Sequence, residues 1–154
     1  MTKTPIRNNL TLELHVPSFE PARQFYGLFG FTELDYDAPT DDPSGGYGYL
    51  VLVRRDSLGD TLLNFYGDKE SVWQHPHFEK YPHDTPRSYA VEITIPASDI
   101  QKLWREVATK LDPASISQPL ELKNWGTYDF RLVDPYGFYV RFTELVDWGQ
   151  KKLA

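Results

Sequence analysis

The chain has 154 residues, with 16 Lys and Arg against 22 Asp and Glu, hence a formal charge of -6. It contains no cysteine, which excludes disulfides, thiolate zinc sites, iron–sulfur clusters and cysteine nucleophiles. The acidic balance argues against a nucleic-acid partner, whose phosphates require a basic footprint, and no apolar run approaches the ~20 residues of a membrane span.

Aromatic residues make up 15% of the chain, too many for a disordered protein. The length suits one compact domain, or two small halves sharing a core. The first residues, Met1 to Arg7, lack the apolar stretch of a signal peptide, so a soluble cytoplasmic protein is expected.

The first patterned segment is Leu12-Glu13-Leu14-His15-Val16, whose alternation predicts a strand with one buried face. Pro17 closes it and Ser18 is the expected helix N-cap. A short helix follows, with Ala22, Phe25, Tyr26 and Phe29 on one face, and Gly30 stops it. Strands are then expected over Phe31–Tyr36, Tyr47–Arg54 and Thr61–Tyr66, the last two joined by a turn through Ser57-Leu58-Gly59-Asp60. Asp37 to Gly46 reads as irregular. Gly45-Gly46-Tyr47-Gly48 precedes a strand rather than a helix and so forms no phosphate cradle. Gly67 to Arg87 is polar and holds His75, His77 and His83; it reads as a solvated linker between modules placed at about 8–66 and 88–146.

The second half repeats the first. Val91-Glu92-Ile93-Thr94-Ile95-Pro96 matches Leu12 to Pro17 at an offset of 79 residues. Ser98 is the expected cap of a helix carrying Ile100, Leu103, Trp104, Val107 and Leu111, which Asp112-Pro113 ends. A weak strand at Glu121–Lys123 precedes two strong ones, Asp129–Val133 and Phe138–Glu144, joined by the turn Asp134-Pro135-Tyr136-Gly137. The last strands also correspond: Leu63-Asn64-Phe65 lies 77 residues before Val140-Arg141-Phe142. The remaining tail, Trp148 to Ala154, reads as a frayed or packing terminus. The fold class that follows is α+β, two tandem βαβββ modules forming one domain.

Two segments carry a resemblance to a known family. They are Val16-Pro17-Ser18-Phe19-Glu20-Pro21-Ala22-Arg23-Gln24-Phe25-Tyr26, continued by Leu28-Phe29-Gly30-Phe31, and Trp125-Gly126-Thr127-Tyr128-Asp129-Phe130 followed by Asp134-Pro135-Tyr136-Gly137-Phe138. With these the chain resembles the vicinal oxygen chelate superfamily of glyoxalase I, bleomycin-resistance proteins and extradiol dioxygenases, from Leu10 to about Glu144. The resemblance implies a mixed sheet curled around a cleft, and a homodimer whose partner completes the cleft walls.

Strand parity assigns faces without help from the family. Leu10, Leu12, Leu14, Val16, Leu63, Phe65, Val91, Ile93, Ile95, Phe138, Val140 and Phe142 form a wholly apolar set that should pack beneath the helices. The opposite set holds Thr11, Glu13, His15, Leu62, Asn64, Tyr66, Ala90, Glu92, Thr94, Tyr139, Arg141 and Thr143 and should line the cleft. By the resemblance, the superfamily's metal ligands would fall at Thr11, Asn64, Ala90 and Arg141. Ala90 has no donor, Thr11 and Asn64 are poor ligands, and Arg141 brings a permanent positive charge. The usual metal site is therefore expected to be absent, and no cofactor is implied. A shift of two residues would recruit Glu13 and Glu92 instead.

Glu13 and Glu92 hold equivalent places in the repeats, with Arg141 expected beside them in a charge-assisted network. Such a network serves either ligand recognition or simple neutralisation of the carboxylates. The ligand-binding candidates are Glu13, His15, Asn64, Tyr66, Glu92, Trp125, Tyr139 and Arg141. Tyr47, Tyr49, Phe65 and Trp73 are further aromatics on or beside the cleft strands, although Phe65 falls on the core parity. The function expected is metal-free binding of a small molecule, sequestering an antibiotic or an aromatic or cationic metabolite. The alternatives are an enzyme of the same superfamily (lyase, isomerase or dioxygenase, metal-dependent or carboxylate-based) and a dimeric protein-interaction module.

Overall fold

A computed structural model of the chain describes residues 10–82, 87 and 90–145. His83, the tail from Trp148, and the module bounds drawn at 8, 88 and 146 lie outside them. The chain divides into two compact units, residues 1–55 with 59–85, and 56–58 with 86–154.

The first unit runs β1 (Glu13–Val16), α1 (Glu20–Gly27), β2 (Thr32–Asp37), β3 (Gly48–Arg54) and β4 (Thr61–Gly67), then a 3₁₀ helix at Glu70–Gln74. Its sheet has the order β1-β4-β3-β2, parallel only between β1 and β4. The second unit runs β5 (Ile93–Pro96), α2 (Ile100–Val107), a 3₁₀ turn at Pro113–Ser115, β6 (Ile116–Leu122), β7 (Tyr128–Val133) and β8 (Tyr139–Thr143). Its sheet has the matching order β5-β8-β7-β6, parallel only between β5 and β8. Each module is thus βαβββ with its own four-stranded mixed sheet, the architecture that the repeat predicts.

The apolar parity is the core wherever a strand exists. Leu14, Val16, Leu63, Phe65, Ile93, Ile95, Phe138, Val140 and Phe142 are all buried. The helices cover this face: Tyr26 of α1 packs its ring on Phe65 at 5.8 Å, and Trp104 of α2 packs on Phe130 at 4.9 Å. Leu12, just before β1, is only part-buried, and two members of the apolar set fail outright. Leu10 and Val91 are 76% and 55% exposed, because β1 and β5 begin only at Glu13 and Ile93 and alternation carries no meaning before the ladder starts.

Both helix caps fall one residue later than expected. The N-cap of α1 is Phe19, which has no side-chain cap; its N–H donates instead to Asp68 Oδ1 at 2.8 Å. The N-cap of α2 is Asp99, whose carboxylate accepts from Lys102 N–H, while Ser98 turns its hydroxyl to Asp56. Gly30 does end α1: at φ +88° it lets Phe31 N–H reach Tyr26 C=O and Gly30 N–H reach Gly27 C=O.

The stretch read as linker is partly structured. Val72 in the 3₁₀ helix is fully buried, and Gly67, at φ +128°, lets the chain turn close to Val16 C=O and Val72. The irregular loop before β3 is held by Lys69, whose ammonium donates to the carbonyls of Thr40, Asp42 and Gly45. The weak strand of the second half is longer than expected: β6 begins at Ile116 and tolerates Pro119 because it is an edge strand with register breaks on either side of Gln118.

Candidate functional site

The polar face of the first sheet gathers around His15. Parallel pairing sets Glu13 beside Asn64 and His15 beside Tyr66. Antiparallel pairing then sets Tyr49 beside Tyr66 and Val51 beside Asn64. His15 Nε2 lies 3.0 Å from Glu13 Oε1. With the Glu13 carboxylate accepting at Nε2, the neutral imidazole carries its proton there and has Nδ1 as its acceptor. Nδ1 is buried and has no hydrogen-bond partner among the described residues. Burial holds the imidazole pKa below its ordinary value; Glu13 opposes that and His75 adds to it. The ring is enclosed by Tyr66 at 4.7 Å, Phe78 at 5.0 Å and His75 at 5.4 Å between centroids. Tyr47 extends the wall, 5.2 Å from Tyr66, with its hydroxyl donating to Ser71 C=O. Burial, Tyr47 and Glu13 all push the Tyr66 phenol up.

Asn64 is buried, and its amide donates to Tyr49 Oη at 2.7 Å. Its Oδ1 is a second buried acceptor without a partner among the described residues. An unmet buried acceptor costs about 1–3 kcal/mol, so this face would gain from a group that donates hydrogen bonds. His75 and Phe78 were missed as neighbours of His15 because both lie in the stretch read as linker. His75 is held locally, its Nδ1 accepting the His77 N–H at 3.2 Å.

The polar face of the second sheet is built around a carboxylate that the parity sets did not include. Asp129 on β7 is fully buried. Its Oδ2 accepts from Arg141 Nε at 2.9 Å and from an Arg131 Nη at 3.5 Å, and its Oδ1 accepts from Gln118 at 2.7 Å. Lys123 lies 4.0 Å away and also touches Gln118 and Glu121. Arg131 and Arg141 are direct cross-strand partners. Like charges so placed repel, and Asp129 is the anion that makes the pairing tolerable. A hydrogen bond with Tyr139 is the main cause that raises the Arg131 pKa further; burial opposes it, and Asp129 and Glu92 add to it.

The expected Glu92–Arg141 contact is therefore not the one formed. Glu92 Oε1 lies 3.9 Å from Arg131, Glu13 pairs with His15, and Arg141 turns to Asp129. The hairpin could have shown this. With Asp134 and Phe138 closing the turn, counting back along both strands places Arg131 opposite Arg141. Trp125, in the turn before β7, is 43% exposed, with the Arg141 guanidinium 5.6 Å and the Lys123 ammonium 6.0 Å from its ring.

The donor chemistry at Thr11, Asn64, Ala90 and Arg141, the places that the resemblance implies, does not fit a divalent metal. Asn64 is committed to Tyr49 and Arg141 to Asp129, Thr11 is exposed, and Ala90 has no donor and a positive φ of 61°. Among the described residues no group of three or more His, Asp or Glu side chains is placed to hold an ion.

No protein-family model matches the sequence, and no curated protein matches it by sequence. Solved structures do match. A bleomycin-binding protein complexed with bleomycin shares 20% identity at a TM-score of 0.58, covering 91% of this chain and 100% of that one. A bleomycin resistance determinant encoded on the transposon Tn5 shares 20% identity at 0.57, covering 90% and 98%. The trypanothione-dependent glyoxalase I of Leishmania major shares 19% identity at 0.57, covering 96% and 93%. The fold is that of the vicinal oxygen chelate superfamily.

Proposed function

We propose that this chain, which has the fold of the vicinal oxygen chelate superfamily, binds and sequesters a small aromatic molecule that donates hydrogen bonds. The observation that carries the reading is the pair of buried, unpartnered acceptors, His15 Nδ1 and Asn64 Oδ1, on a face walled by Tyr47, Tyr49 and Tyr66. Aromatic walls with a few placed polar groups are how small-molecule sites gain affinity and orientation. Glu13 on the same face, and the overall charge of -6, favour a ligand that is neutral or cationic at that end. The metal-free character rests on the misfit of the four ligand places. A cytoplasmic homodimer belongs to the same proposal; light scattering of the purified chain tests the dimer.

The test is calorimetric titration of the full chain with a panel of aromatic amines, amides and glycopeptide antibiotics. Saturable binding to one class, weakened by His15→Phe and Asn64→Leu, supports the reading. No saturable ligand across the panel overturns it.

One observation favours a second reading. The Glu13–His15 pair, with Nδ1 left as an acceptor, is also the arrangement of a general base oriented by a carboxylate. Turnover of a bound ligand that is lost in His15→Gln, with a pH dependence following the imidazole, would make the chain an enzyme.

A further inference from the structure

We propose that the Arg141–Trp125 corner of the second module is a subsite for an aromatic oxyanion, the carboxylate or phosphate of a ligand whose planar ring lies against Trp125. The inference rests on the small-molecule-binding reading and adds a chemical class to it, opposite in charge to the one that the net charge of -6 suggests.

The argument starts from what each polar group already holds. Asp129 is fully buried, and its two oxygens accept from Gln118, Arg141 and Arg131. Being fully buried, Asp129 is not open to an incoming cation. The donors are in surplus. Arg141 is held by Asp129 through Nε alone, and among the described residues neither of its terminal nitrogens donates a hydrogen bond. Arg131 shares the same carboxylate at 3.5 Å, hydrogen-bonds Tyr139, meets Glu92 only at 3.9 Å, and has a buried Nε with no partner among the described residues. One buried carboxylate is thus divided between two guanidinium groups that the β7–β8 register sets side by side.

A guanidinium anchored at Nε presents its two terminal nitrogens as a fixed fork, and that fork matches the paired oxygens of a carboxylate or phosphate. Arg141 keeps 18% of its side chain exposed, so most of the group is desolvated. Trp125 adds a flat apolar surface beside it, 43% exposed and already polarised by Arg141 and Lys123 near its ring. Lys123, only 15% exposed in its side chain, is paired with Glu121 and donates to Gln118. Glu92 and Glu121 lie at the rim, each beside a different cation, so neither competes for Arg141.

The test titrates the full chain with benzoate, phenyl phosphate, benzylamine, cyclohexanecarboxylate and inorganic phosphate, following the indole and guanidinium N–H signals by NMR. Trp125→Leu identifies its own indole signal. Saturable binding of benzoate or phenyl phosphate that moves the Trp125 and Arg141 signals, about tenfold tighter than benzylamine, is expected from the charge-assisted fork. Whichever aryl anion binds tighter identifies the carboxylate or the phosphate source. Trp125→Leu should weaken binding about fivefold, the worth of a ring contact. Arg141→Lys keeps a counter-charge for Asp129, and so the fold, but should lose about tenfold with the fork. Benzylamine binding as well as benzoate, inorganic phosphate binding as well as phenyl phosphate, or an unchanged affinity in Trp125→Leu would each overturn the proposal. If amines or amides bind through His15 while no aryl anion binds at Trp125, this inference fails and the broader reading stands. If neither class binds, both fail.

Discussion

Replacing Asp129 by Asn removes one charge while keeping the shape of the side chain, so it leaves no cavity and isolates the electrostatic role of the group. In the native structure the carboxylate accepts a charged hydrogen bond from Arg141 at 2.9 Å and a second contact from Arg131 at 3.5 Å. Two unit charges about 4 Å apart near a protein surface attract by about 4 kcal/mol, and a charged hydrogen bond nets about 1.5–3 kcal/mol. The substitution also leaves two guanidinium groups opposed across the β7–β8 ladder without an anion between them. Breaking one partner out of a buried pair costs about 3–5 kcal/mol, and that is the expected loss of unfolding free energy. Urea unfolding at constant salt reads it as a fall in midpoint with an unchanged slope. Glu121→Gln is the control: its carboxylate is half exposed, and its loss should stay within about 0.5 kcal/mol. A loss below about 1 kcal/mol in Asp129→Asn would refute the view that this carboxylate holds the two arginines together.

The remaining predictions concern pH, glycine and strand bounds. The folded pKa of His15 lies below its unfolded value of 6.5, so the folded state binds fewer protons than the unfolded state between the two. The contribution is complete above 6.5 and is lost as pH falls through the folded value; the midpoint slope between pH 7.5 and 5.5 should flatten in His15→Phe. Gly67→Ala should cost more than about 2 kcal/mol in urea unfolding, because a Cβ there would sit 2.3 Å from Val16 C=O at φ +128°. Gly126→Ala also has positive φ, +93°, but meets no neighbour within 4 Å, so only the backbone term of about 1–2 kcal/mol is expected. Val91→Thr should change stability by less than about 0.5 kcal/mol, whereas Ile93→Ala should cost about 2–4 kcal/mol, since only the second lies in the ladder.

Strand periodicity was legible because one face of each sheet is buried, and burial is what writes alternation into a sequence. Phe65 and Phe142 follow directly from it, and their exposure is zero. The starts of β1 and β5 were less legible, since Leu10 and Val91 continue the pattern without a partner strand. The caps slipped by one because Ser18 and Ser98 are good caps by type, but the chain puts Phe19 and Asp99 at the helix entry and recruits Asp68 and Asp56 from elsewhere. His15, Tyr66 and Glu13 share a face on paired strands, which parity shows, but the Glu13–His15 pairing is not legible from parity alone. Asp129 was not, because a charged residue in a strand reads as exposed until the register shows the arginines on both sides of it.

The two modules are matched in strand order but not in pairing. In the first, Leu14 lies opposite Phe65; in the second, the equivalent Ile93 lies opposite Val140 rather than Phe142. The slip is two residues, so every side chain keeps its face while its neighbours change. Arg141 stands where the first module has Tyr66, not Asn64. Half-for-half recombination would therefore preserve both cores and scramble both polar faces. A chain rebuilt from two copies of its first half should fold, yet it would carry two His15-type faces and no arginine fork. The ladder register, as well as the residue types, therefore sets which polar groups meet on each face.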